Sequence, residues 1–395
     1  MNPARGAHAV ALSMLPGCGH HRLRALLGAA GHEPELAWLA IASGHTGDLD
    51  LSSRFTLGPD QAGLLARWKE AAAAIDPHAV QRALHRERIG VWLAGDEGAP
   101  AVLVDDPDPP PLLFWRGDPA AADAVRPAAA IVGTRRCTAY GRDVARQLGR
   151  DLALAGVRVV SGLALGIDGA GHQGALAAGS TNAGAPPVAV VGSGLDVVYP
   201  TRHRALWDRV AEAGILLGEA PPGARPEAWR FPRRNRILAA LSDVVIVVES
   251  HASGGSLSTV RAAIERGITV MAVPGSVRSP SSVGTNRLLA DGAAPVTDVD
   301  DVLVALSLEG RAPGAGAAGG FAADAELVDD PVLAAVDWTP TATEEVLRRT
   351  GLSIVQTTTQ LTRLEVRGLV RRRGGWWERV GEPGLPADRG YTAST

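Results

Sequence analysis

The stretch Ser161 to Leu176, SGLALGIDGAGHQGAL, carries glycines at 162, 166, 169 and 171 and runs into a helical pattern. Glycine lets backbone approach a ligand closely, and a helix start presents unsatisfied N–H groups at the positive end of a dipole, so the chemistry expected is anion binding. The stretch holds no Lys or Arg, and its titratable residues are Asp168 and His172, four apart and therefore on one helix face. Their expected role is structural, fixing the loop by hydrogen bonds. The charge for an anion has to come from elsewhere. Lys69 is the only lysine, and arginines cluster at 135–136, 230–236 and 363–373. Guanidinium groups hold phosphate oxygens through paired hydrogen bonds, and several along one groove suit a polyanion better than a single nucleotide.

The absence of other patterns narrows the chemistry. No Walker lysine follows a glycine loop, no G-x-G-x-x-G follows the first strand of the central region, and neither G-x-S-x-G nor H-E-x-x-H occurs. No cofactor and no catalytic residue is expected. Cys18, His20 and His21 are nearly adjacent and lack a second cluster, so no metal site is expected either.

These residues need a scaffold, and the hydrophobic pattern supplies one. AAAIVG (128–133), VRVV (157–160), VAVVG (188–192), ILLGE (215–219), VVIVVE (244–249) and ITVMAVP (268–274) are short continuous apolar runs, mostly separated by helical patterns. Strands buried on both faces have this composition, and βα alternation predicts an α/β fold, a Rossmann-like doubly wound parallel sheet. Loops after five of these strands are rich in Gly, Ser, Thr or Pro, and in this architecture they share one edge, where ligands bind. Arg135 and Arg136 fall at that edge. In AWRFPRRNRILAAL (228–241), Pro232 is expected to break the chain and Asn235 to open a helix, so that Arg230, Arg233, Arg234 and Arg236 flank the crevice.

Before this core, apolar residues at 10, 12 and 15 and at 23, 26 and 27 predict two helices around LPGCGHH (15–21). Such a turn is either a phosphate-holding helix-hairpin-helix element or a plain glycine turn between packed helices. LGPDQAGLL opens a further helix. HRERIGVWLAG and LLFWRGD are expected to supply two strands on either side of the extended DDPDPPP (105–111). After the core, EGRAPGAGAAGG (309–320) reads as a flexible linker. Thr341 with Glu344 and Ser353 with Gln356 read as capping boxes of two helices, with Gly351 between them, and LVRRR-GG-WWERV as a hairpin. Helix, turn, helix and wing make a winged helix. Its second helix, with Thr357, Thr358, Thr359, Gln360 and Arg363, is suited to a major groove, while winged helices also serve as protein contacts. The expected domains are therefore 1–82, helical and helix-hairpin-helix or SAM-like; 83–308, Rossmann-like; 309–328, linker; 329–381, winged helix; and 382–395, tail.

AIVGTRRCTAYGR, VVSGLALGIDGAGHQGALAAG, VVGSGLDVVYP, FPRRNRILAALSDVVIVVES, GGSLST and AVPG together resemble the DNA-processing protein A family, DprA, also called Smf, over residues 86 to 308. The resemblance implies a dimeric, non-enzymatic single-stranded DNA binder. Such a protein protects incoming DNA and loads a RecA-type recombinase during natural transformation or recombination. It also implies a DNA pocket of Gly133, Thr134 and Arg135, then Ser161, Gly162 and Gly166, then Arg234, Asn235 and Arg236, and finally Gly254, Gly255, Ser256 and Thr259. Three positions depart from the family: Ala99 precedes Pro100 in place of tyrosine, Leu165 stands where a Lys or Arg is frequent, and Gly254 replaces a serine. The competing expectation is a nucleotide-processing Rossmann enzyme of phosphoribohydrolase type. That would call for a PGGxGT-type loop and a glutamate beside an arginine, where this chain reads SGGSLST. A winged-helix regulator with a ligand-sensing core is the third reading.

Bulk composition is that of a globular chain, 46% hydrophobic and 21% charged, with no apolar run long enough to span a bilayer and no leader pattern. Two cysteines in 395 residues make no disulfide framework, and a cytoplasmic location is expected. A net charge of −3 argues neither for nor against nucleic acid.

Overall fold

A computed structural model describes residues 3–50, 57, 60–122, 127–179, 184–307, 330–367, 369–373 and 376–379. The linker and tail expected at 309–328 and 382–395 lie outside the described residues, as does the tip of the wing.

The central region is a nine-stranded sheet. Its strands are β1 (Gly90–Leu93), β2 (Leu112–Gly117), β3 (Ala128–Val132), β4 (Arg158–Ser161), β5 (Val188–Val191), β6 (Ile215–Gly218), β7 (Val244–Val247), β8 (Thr269–Ala272) and β9 (Ala294–Pro295). Their spatial order is β1-β2-β6-β5-β4-β3-β7-β8-β9. From β6 through β9 every pairing is parallel, and β1 and β2 join as an antiparallel hairpin on the β6 edge. The order reverses at β3, which pairs with β4 on one side and β7 on the other, with Ala129 opposite both Val159 and Val244. Loops leaving β3 and β7 therefore diverge and open a crevice at the sheet's carboxyl edge.

The composition of β3 explains its position. All five residues of AAAIV are buried. Ala128, Ala130 and Val132 face the layer of α9 (Arg230–Ala240) and α10 (Leu257–Ile264), while Ala129 and Ile131 face α6 (Ala139–Leu154) and α7 (Ile167–Gly179). Helices α6 and α7 touch backbone to backbone: a Cβ on Gly174 would fall 1.9 Å from the Arg146 carbonyl oxygen. Part of the glycine richness of the opening stretch thus serves helix packing.

Among the described residues, five α-helices precede the sheet: α1 (Pro3–Ser13), α2 (His20–Ala29), α3 (Pro34–Ser43), α4 (Gln61–Ala72) and α5 (Pro77–Arg86). Asp60 caps α4 by accepting from Gly63 N at 3.2 Å. The fifth helix crosses residue 82 and ends just before β1. The apolar core of these helices runs without a break into the sheet, from Leu12, Leu26 and Trp68 through Phe114 and Trp207 to Val191 and Leu216. The Arg5–Asp96 ion pair at 2.6 Å ties α1 to the same edge. Completing the central region are α8 (Arg204–Ala213), α11 (Val283–Ala290) and α12 (Val299–Ala305).

The C-terminal part is a winged helix of α13 (Pro331–Ala335), β10 (Thr341–Ala342), α14 (Thr343–Thr350), α15 (Ile354–Val366), β11 (Val370–Arg373) and β12 (Trp376–Arg379). Ser353 and Gln356 form the expected capping box, and Gly351 takes φ +66° at the turn. The expected box at Thr341 does not form. Thr341 lies in β10, where its hydroxyl accepts from Asp337 N at 3.0 Å and donates to the Thr339 carbonyl, and α14 opens after Ala342 without a side-chain cap. A second correction concerns Pro232. It sits in the first turn of α9, where a missing N–H costs nothing, so the helix begins at Arg230 instead of Asn235.

Candidate nucleic-acid interface

A groove of about 970 Å³ occupies the crevice at the β3/β7 switch point. Of the residues expected to bind DNA, Gly133, Thr134, Arg135, Arg234, Asn235, Gly254, Gly255, Ser256 and Thr259 line it. The β3 loop supplies one rim. Thr134 is held by its N–H to the Glu249 carbonyl at 2.8 Å, and its hydroxyl accepts from Arg136 N at 3.2 Å. Arg135 and Arg136 are exposed on this rim. The Arg135 guanidinium carbon lies 4.8 Å from the centroid of Phe231, which in turn lies 5.5 Å from the Tyr199 ring. Cations and aromatic faces thus alternate along the groove, the combination that holds a flexible strand by its phosphates and bases together.

The opposite wall is the start of α10. Ser256 occupies the N-cap but makes no side-chain cap, and instead donates to the Ser250 hydroxyl at 3.0 Å. Asn235 is oriented by donating to Ser258 Oγ at 2.7 Å.

Residues 161–176 form the floor, and their hydrogen bonds differ from the expected free donors. The buried Asp168 carboxylate lies 3.8 Å from Arg234, and Ile167 N donates to the Thr134 carbonyl at 3.3 Å. The N–H groups of Ile167, Gly169 and Ala170 are therefore satisfied within the protein. Gly166 is at φ +82°, packed against the Thr134 carbonyl, and Leu163 holds φ +52° with its carbonyl 3.0 Å from His203 Nδ1. A bulky residue in the left-handed region is strained, and here the surrounding contacts impose it. Asp168 is structural, as expected, through its pairing with Arg234. The hydrogen bonds expected of His172 do not form: both ring nitrogens are buried with no partner among the described residues, and that burial lowers its pKa to about 3.

Four of the expected contacts lie elsewhere than on the groove surface. Ser161 is 0% exposed, and its hydroxyl donates to the Ile131 carbonyl at 2.6 Å across the sheet. Gly162 lies beneath, on a recess of about 40 Å³ that it shares with Leu165. Gly166 shapes the floor from below. Arg236 points away, into an ion network with Glu219 and with Asp108, the latter at 3.0 Å. Arg234 lines the groove but is only 6% exposed: it donates to the carbonyls of Val190 and Gly162 and lies 3.8 Å from Asp168. Burial pulls its pKa down to about 10, which leaves it charged at neutral pH as an electrostatic backstop.

The aromatic members Phe231 and Tyr199 were not among the expected site residues. An aromatic directly before a proline, Tyr199-Pro200 after β5 and Phe231-Pro232 in the arginine-rich segment, was the available signal. Glu249 is a further one. Its carboxylate is buried and accepts from Thr138 N at 2.9 Å and from the Thr138 hydroxyl, so it locks the β3 loop onto α6.

Tertiary structure adds Asp108 to His20 and His21, with donor atoms within 4.8 Å of one another. Arginines already occupy these acceptors: Arg24 reaches His21 Nδ1 at 3.2 Å and Asp108 at 3.4 Å, and Arg236 reaches Asp108. A cation placed there meets net positive charge. On the winged helix, Thr357 is buried and Gln360 donates to Asp330, leaving Thr358, Thr359 and Arg363 exposed on α15 beside Ile354 and Val355. No helix among the described residues is long and apolar enough to cross a membrane.

A doubly wound α/β core with a cation- and aromatic-lined groove at its switch point, carrying a winged helix, defines a Rossmann-type polyanion-binding class. The comparisons narrow it: the chain belongs to the DNA recombination-mediator protein A family, whose profile matches residues 90–307, and the DprA winged helix domain matches residues 319–375. A DprA-named protein of Mycobacterium tuberculosis is 42% identical over 273 residues, 68% of each chain. The solved DNA processing protein A of Streptococcus pneumoniae is 29% identical with a TM-score of 0.61, covering 77% of this chain and 98% of that one. The Helicobacter pylori DNA processing protein A, solved for its single-stranded DNA binding mode, is 30% identical with a TM-score of 0.50, covering 56% and 96%.

Proposed function

We propose that the chain binds single-stranded DNA in the switch-point groove as a non-enzymatic cytoplasmic protein. The observation that carries this reading is the alternation of exposed Arg135 and Arg136 with Phe231 and Tyr199 along one groove. Phosphates meet guanidinium groups while unpaired bases stack, and a duplex, whose bases are already stacked, gains only the first. The Helicobacter pylori relative, described by its single-stranded DNA binding mode, supports the same substrate. Protection of incoming DNA, a homodimer and hand-over to a RecA-type recombinase in transformation or recombination complete the proposal. Nucleotide-processing chemistry is the weaker reading because the carboxylate at the switch point, Glu249, is consumed by Thr138 and packed under Gly141.

Binding of labelled oligo-dT, compared with duplex and with mononucleotide across a salt titration, tests the proposal. The expected result is preference for oligo-dT with affinity falling steeply as salt rises, because each neutralised phosphate releases counterions. Tight mononucleotide binding with turnover would overturn it.

A further inference from the structure

A second cavity, of about 660 Å³, lies between the Leu15–His20 turn of the N-terminal helices, the loop at 219–224 and the start of α9. It adjoins the groove. The small recess under Phe231 shares Arg135 and Tyr199 with the groove and Val191 and Gly192 with the cavity, and Arg234 borders all three. The cleft between the N-terminal helices and the sheet therefore lies next to the groove, with Phe231 and the buried Arg234 as the wall between them.

The cleft has the chemistry of the groove in other residues. Trp229 is 54% exposed at its mouth, with the Arg230 guanidinium 4.5 Å and that of Arg233 6.0 Å from its ring centroid. A large exposed indole covers no core and offers a base a stacking face, while Arg230, paired with Glu227 at 3.0 Å, and Arg233, 3.5 Å from Glu219, would exchange those carboxylates for phosphates. The back wall is the LPGCG turn, in which the carbonyls of Leu15, Pro16, Gly17 and Gly19 are taken up internally. Leu15 O accepts from Cys18 N at 3.0 Å, Pro16 O from Trp68 Nε1 at 2.9 Å, Gly17 O from Arg22 Nη1 at 2.8 Å and Gly19 O from Leu23 N at 2.9 Å. The ten-residue α2 then opens behind Gly19 with no side-chain cap. A wall that has turned its acceptors inward and left its helix-opening donors uncapped favours an anion over a cation.

We infer that the single strand held in the groove continues over Trp229 into this cleft, so that the N-terminal helices hold the backbone of the flanking nucleotides. The inference rests on the single-strand reading of the groove and adds a length requirement to it: short oligomers fill the groove alone, longer ones engage both.

The test uses the full chain and two lengths of oligo-dT, about 5 and about 15 nucleotides, within the range of site sizes of single-strand-binding domains. One variant combines Trp229→Ala with Arg230→Ala. The other is Met14→Glu, which places a carboxylate on the N-terminal side of the cleft at an exposed position. Thermal melting of each variant, compared with the parent, checks the fold. The expected result is that each weakens the longer oligomer roughly ten-fold, lowers its salt slope, and leaves the shorter one unchanged. Equal weakening at both lengths, or none at either in a parent that binds both, would overturn the inference. A parent that binds neither length would instead overturn the single-strand reading itself.

Discussion

The guanidinium of Arg234 occupies the space where Gly162 lacks a side chain: it donates to the Gly162 carbonyl at 3.2 Å, and a Cβ on Gly162 would fall 1.9 Å from its Nη2. The floor of the groove and its buried charge are thus one packing unit. Gly162→Ala should drive Arg234 out of that position, away from Asp168 and the Val190 carbonyl. Overpacking of this kind costs about 1–3 kcal/mol, measurable by urea denaturation, and oligo-dT affinity should fall with it. Unchanged stability would mean that the pair is not packed as described.

Arg135 and Arg234 should separate in their effects. Arg135 is exposed and stacked only on Phe231, so Arg135→Ala should shift stability by no more than about 0.5 kcal/mol while lowering oligo-dT affinity and reducing the salt slope by about one. Arg234→Ala leaves Asp168 buried without its partner and should cost about 3–5 kcal/mol. Denaturation and binding measured on both variants decide it. An Arg234→Ala variant as stable as the parent would contradict the assigned role.

Gly254 stands where the family resemblance implies a serine, and the neighbouring hydroxyls account for the difference. A Cβ there would fall 2.5 Å from Ser250 Oγ, which is engaged by Ser256. Gly254→Ser alone should destabilise by about 1 kcal/mol, and Ser250→Ala in the same chain should recover most of it. Additive losses in the double variant would refute the steric explanation.

His172 sets an acid limit on the fold. Its folded pKa, about 3, lies below the ordinary value of 6.5 because burial disfavours the imidazolium. The unfolded chain therefore takes up a proton that the folded chain refuses. This contribution is complete above pH 6.5 and is lost as pH falls from there towards 3, at up to about 1.4 kcal/mol per pH unit. Stability measured at pH 7, 6 and 5 should fall more steeply for the parent than for His172→Gln. Parallel curves would show that His172 titrates normally in the fold.

Much of the fold was legible in order and composition. Six apolar runs separated by helical patterns could only be strands buried on both faces, and each lies in the sheet where expected. The Ser353–Gln356 capping box and Gly351 marked the winged helix because capping chemistry is local. Thr341 and Pro232 depart from expectation for a related reason: a threonine three residues before an acid, and a proline in an arginine run, each fit two local conformations. Packing of β10 and of α9 chose between them.

The sequence by itself determined the α/β core, the edge that carries the ligand loops, and the residue types a polyanion requires. It did not determine which arginines face solvent. Arg234 and Arg236 are two apart on one helix, so they diverge around its axis, the first onto Asp168 under the groove and the second onto Glu219 and Asp108. Nor did it show that Ile167 N is taken up by the Thr134 carbonyl, or that Phe231 reaches both Arg135 and Tyr199. Secondary structure follows from spacing along the chain. Which side chain is buried and which is left for a ligand follows from partners distant along the chain, as Asp108 is from Arg236, and only the folded sheet brings those into contact.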